Sequence, residues 1–72
     1  MFPIYYEKRE SAKKPGSFFD VVFVDLGYRH HFLTFDRSII AELLGISVAD
    51  LYNVEPRYKV SIGSLDPSAV KV

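Results

Sequence analysis

The chain has 72 residues, no cysteine, 9 basic and 9 acidic side chains, and is 49% apolar, with 6 Phe and 5 Tyr. A chain this short and this apolar makes one globular domain, not a disordered segment or two cores, and the lack of cysteine excludes disulfide staples and zinc thiolates. A formal charge of zero removes the global field that draws a basic protein onto nucleic acid or anionic lipid.

A domain of this size buries only about 60% of the surface its unfolded chain exposes. Dense aromatic packing or self-association therefore has to supply what disulfides do not. Met1, Phe2, Pro3 and Ile4 open the chain without a basic leader, and no stretch reaches the ~20 apolar residues of a membrane helix. The expectation is a cytoplasmic protein with no membrane contact.

Residues 4–9 predict a strand, since two tyrosines and an isoleucine give way to charges at a period near two. Residues 10–17 form a polar loop punctuated by Pro15 and Gly16. Residues 18–26 carry three valines and three phenylalanines, with apolar groups on both faces, and predict a central strand. Gly27 supplies the positive φ of a tight turn into a third strand over 28–35. With Gly27 and Tyr28 as the loop, Leu26 faces Arg29, and Asp25 faces His30 in a surface contact across the hairpin.

After Phe35 the period lengthens. Asp36 is a good N-cap, and Ile39, Ile40, Leu43 and Leu44 recur at spacings of three and four along a short helix closed by Gly45. Ser47 and Asp50 have capping-box spacing, and Val48, Leu51 and Tyr52 line a second short helix that Pro56 stops. Residues 57–63 alternate, with Tyr58, Val60 and Ile62 on one side and Arg57, Lys59 and Ser61 on the other. Residues 64–72 lack a pattern that buries anything and predict a flexible tail, so the domain is 1–63. The order β-β-β-α-α-β predicts an α+β fold: a mostly antiparallel four-stranded sheet with two short helices packed on one face.

Within 37–56, Ile40 and Ala41 lie inside the first helix, Gly45 makes the turn, and Ile46, Leu51 and Val54 fall where a second helix sends residues to the core. In these positions the segment resembles the helix-turn-helix of DNA-binding proteins. The resemblance implies a second helix in the major groove, with Tyr52 and Asn53 reaching the bases. Asp50 and Glu55 oppose that use, and no Arg or Lys occurs between Arg37 and Arg57. A second basic candidate is the loop 8–14, where Lys8, Arg9, Lys13 and Lys14 stand against one acid, Glu10. Tyr5, Tyr6, Phe18 and Phe19 lie close enough in sequence to stack on bases, although an ordinary solvated loop has the same composition.

Catalytic signatures are lacking. None of the seven serines sits in a Gly-x-Ser-x-Gly elbow, and the glycines are too dispersed to cradle phosphates. His30 and His31 are adjacent on a strand, point to opposite faces and do not grip one metal. No catalytic, cofactor or metal residue is assigned, and neither enzyme activity nor a small-molecule substrate is expected.

Surface balance carries the functional expectation. The strand 18–26 presents Phe19, Val21 and Phe23 on one face and Phe18, Val22, Val24 and Leu26 on the other, and two short helices cover only one. Phe19, Val21 and Phe23 are therefore the candidate protein interface. The reading is a small intracellular, non-catalytic protein-interaction module, homodimeric or bound to another protein. The alternative is a nucleic-acid-binding regulatory protein that uses the degenerate helix-turn-helix over 37–56, the basic loop 8–14, or both.

Overall fold

The structure, a computed structural model, describes residues 1–69. Its elements follow in the order β1 (Phe2–Glu10), β2 (Phe18–Asp25), β3 (His30–Leu33), α1 (Arg37–Leu44), α2 (Val48–Tyr52) and β4 (Lys59–Leu65), with a 3₁₀ turn at Pro67–Ala69. The strands make one antiparallel sheet in the order β3-β2-β1-β4. This is the α+β fold that the predicted element order requires. The two helices carry the chain from one edge of the sheet, β3, to the other, β4.

Register fixes which side chains meet. Tyr6 lies opposite Val22 and Val60, and Tyr5 opposite Phe23 and Ser61. Because side chains alternate along a strand, Tyr6, Val22 and Val60 share one face, and Tyr5 and Phe23 share the other. Tyr6 and Val22 join Ile40 of α1 and Leu51 of α2 in one buried cluster, with Ile4, Leu44 and Val60 against its sides. The Tyr6 face is thus the core face. The molecule's shortest dimension, 16 Å, holds two layers and leaves no space for a third, given about 10 Å between stacked layers.

The β2–β3 hairpin turns on Gly27 and Tyr28: the Leu26 amide donates to the Arg29 carbonyl at 3.0 Å. Gly27 has φ +89°, the positive φ that the two-residue connection needs. β3 covers only four of the eight residues predicted, since Tyr28 and Arg29 belong to the turn region and residues 34 and 35 lead toward α1. Gly45, at φ +73°, ends α1, while the Ile46 amide reaches back to the Ala41 carbonyl. Ser47 caps α2 by accepting the Asp50 amide at 3.1 Å, but the Asp36 side chain makes no cap bond to α1.

β4 is displaced toward the C-terminus relative to its predicted span. Arg57 has φ +67° and sits in the preceding turn, where its amide and the Tyr58 carbonyl both bond the Lys8 backbone. At the other end Ser64 and Leu65 pair with Pro3 and Phe2, within the stretch predicted as tail. Residues 70–72 of that predicted tail lie outside the described residues. The register shift between Ile4 and Tyr5 leaves Ile62 as an extra residue in β4, a bulge in the edge strand.

Candidate interaction surface

Phe23 is 0% exposed even though it lies on the sheet face opposite the Tyr6, Ile40 and Leu51 cluster. Its own neighbours close over it. The His30 ring stacks at 4.2 Å, the Tyr5 ring lies 5.6 Å away, and the Arg9 guanidinium and Lys59 ammonium stand 4.9 and 5.6 Å from the ring centroid. Such cations keep their charge in water while covering the ring with their stems. Arg9 is held in place by Glu7 at 2.6 Å and donates from Nη2 to His30 Nδ1 at 3.2 Å.

This corrects the predicted interface. Phe23 is a buried anchor of the second face, Val21 is half-buried, and of the three only Phe19 is exposed. The hairpin register does put Asp25 opposite His30. Their side chains nonetheless turn apart, because Asp25 accepts the Gly27 amide at 2.8 Å and His30 faces Arg9.

The apolar surplus lies elsewhere. Among the described residues eleven large apolar side chains are exposed, against eight apolar residues that are buried. Among the exposed ones are Phe32 of β3 at 54%, on the Phe23 face, and Phe35, Ile39 and Leu43, at spacings of four along the approach to α1 and its outer side. A groove of about 250 Å³ is lined by Val21, Phe32, Leu33, Phe35 and Ile40 among others. Tyr28 stands out at the turn end of the same hairpin.

The Tyr6 face carries a polar cluster that ties sheet to helices. Tyr6 donates its hydroxyl to Asp20, whose other oxygen lies 3.4 Å from Arg37 Nε. Arg37 in turn donates to the Tyr52 hydroxyl at 2.9 Å. Burial foremost, and then the hydrogen bond to the Asp20 carboxylate, push the Tyr6 phenol above its ordinary range. Lys8, 7% exposed, donates from Nζ to the carbonyls of Leu51 at 2.9 Å and Tyr52 at 3.3 Å, and so satisfies the C-terminal end of α2.

These contacts redistribute the residues predicted to meet nucleic acid. Lys8 is buried in the helix cap and Arg9 is engaged on the Phe23 face, while Lys13 and Lys14 remain exposed in the loop. The predicted basic patch of four is therefore two exposed lysines. Tyr52 is exposed under Arg37, Asn53 bonds the Ala49 carbonyl at 3.4 Å, and α2 is five residues long.

Lys8 had a readable signal, because a period of two from Ile4 and Tyr6 places it on the core face. The outward stripe on α1 had one too, in Ile39 and Leu43 beside the inward Ile40 and Leu44. Nothing local marked Asp20 and Arg37 as partners, for they meet only after the sheet and α1 come together.

Among the described residues no group of three or more His, Cys, Asp and Glu side chains is placed to hold a metal, and no helix is long and apolar enough to cross a membrane. Comparison with protein-family models, curated proteins and solved structures finds no match.

Proposed function

We propose that the protein is a small intracellular, non-catalytic interaction module that works as a homodimer. The observation that carries this is the apolar surplus: among the described residues eleven large apolar side chains are exposed, Phe32, Phe35, Ile39 and Leu43 among them, against eight apolar residues that are buried. Exposed apolar surface in this proportion supports association.

A second copy suits the surface better than a polyanion does. Arg9 and Lys59 on the Phe23 face are balanced by Glu7 and Asp25, so the face carries no net charge. A phosphate backbone would meet two carboxylates there, and the two remaining loop lysines are a small electrostatic footprint.

Thermal unfolding across a range of protein concentrations tests the proposal, accompanied by DNA titration in a salt series. For a dimer the midpoint rises with concentration, and DNA binding is absent or weak. A midpoint indifferent to concentration, together with DNA affinity that falls steeply with salt, overturns the proposal in favour of nucleic-acid binding.

A further inference from the structure

We infer that the two copies join edge to edge along β3, antiparallel, about a two-fold axis at His31, so that the two sheets become one of eight strands. The inference rests on the self-association proposed above and assigns it a surface and a register.

The hydrogen-bond parity of the hairpin selects the register. The Leu26 amide bonds the Arg29 carbonyl, so Leu26 and Arg29 form a hydrogen-bonded pair. Such pairs alternate along an antiparallel ladder. Val24 and His31 are then the next bonded pair, and Val22 and Leu33 the one after. His30 and Phe32, opposite Asp25 and Phe23, lie at the intervening positions and turn their backbone N–H and C=O groups outward, to the free edge. A second β3 related by a two-fold at His31 sets His30 opposite the partner's Phe32 and Phe32 opposite the partner's His30. All four outward rungs are satisfied at once.

This register brings the turn end of one hairpin alongside the other end of its partner's, with Arg29 opposite the partner's Leu33 and exposed Tyr28 opposite the partner's Thr34. The opposite edge of the sheet is guarded. β4 has the Ile62 bulge and carries Lys59, both devices that discourage edge pairing, whereas β3 contains no bulge, Lys or Pro.

The chain has no native cysteine, which makes cross-linking a direct test. At the two-fold, one His31 faces the other in a non-hydrogen-bonded pair, with Cα atoms about 4.5 Å apart, within disulfide reach. In a glutathione redox buffer His31→Cys should convert almost fully to a covalent dimer, and Phe19→Cys, set away from the edge, should stay largely reduced. If the wild type is dimeric but Phe19→Cys cross-links and His31→Cys does not, self-association stands and the β3 edge is the wrong surface. If the wild type is monomeric, both fall. Amide exchange of the unmodified protein gives a second reading that needs no variant. The His30 and Phe32 amides should slow severalfold as concentration rises, and exchange that stays fast in a dimer overturns the edge pairing.

Discussion

Two side chains on the core face do more than fill space. Lys8 places an ammonium group on two carbonyls at the end of α2, a helix too short to hold itself in water. Replacing it by methionine keeps the stem and removes the donors, leaving those carbonyls unsatisfied. Lys8→Met should cost about 1–3 kcal/mol in urea unfolding, and an unchanged midpoint would remove Lys8 from the account of α2. Tyr6 makes a pH prediction. Its phenol holds its proton above the ordinary range in the folded protein, while the unfolded chain releases it near pH ~10. The sign follows: the contribution is complete below that pH and is lost as pH rises past it. Wild-type stability should fall on the alkaline side more steeply than that of Tyr6→Phe, and parallel curves would contradict the assignment.

At the scale of elements, local chemistry decided most of what was legible in advance. The valines and phenylalanines of β2, the Gly27 turn and the Ser47 cap each depend on neighbours a few residues away, and all three are found. The hairpin rests on Gly27, whose φ of +89° is costly for any side chain. Gly27→Val should lower stability by about 1–2 kcal/mol and weaken β3 first, read as faster amide exchange at His31 and Leu33. A variant as stable as the wild type would show that the turn does not set the register. The misreadings share another cause. Grouping Lys8 with a charged loop set its charge above its position in the alternation. Phe23 was placed at an interface because a strand pattern does not reveal that Arg9, Lys59 and His30, from three different strands, fold over the same ring. Arg57, at φ +67°, broke the alternation that otherwise predicted β4 from its first residue.

For the whole molecule the decisive quantity is apolar surface. The later half of β2 is well covered, with Val22, Phe23 and Val24 all buried. The shortage of cover falls on Phe18 and Phe19 at the start of β2, on Phe32 of β3 and on the outer side of α1, where Leu43 keeps 49% of its surface in water. A small domain without disulfides has few ways to improve that balance apart from a second copy. Sedimentation equilibrium of the wild-type chain over a wide concentration range tests this most directly. The account predicts a mass of twice 8.2 kDa that dissociates on dilution, and a mass of 8.2 kDa up to the limit of solubility would contradict it.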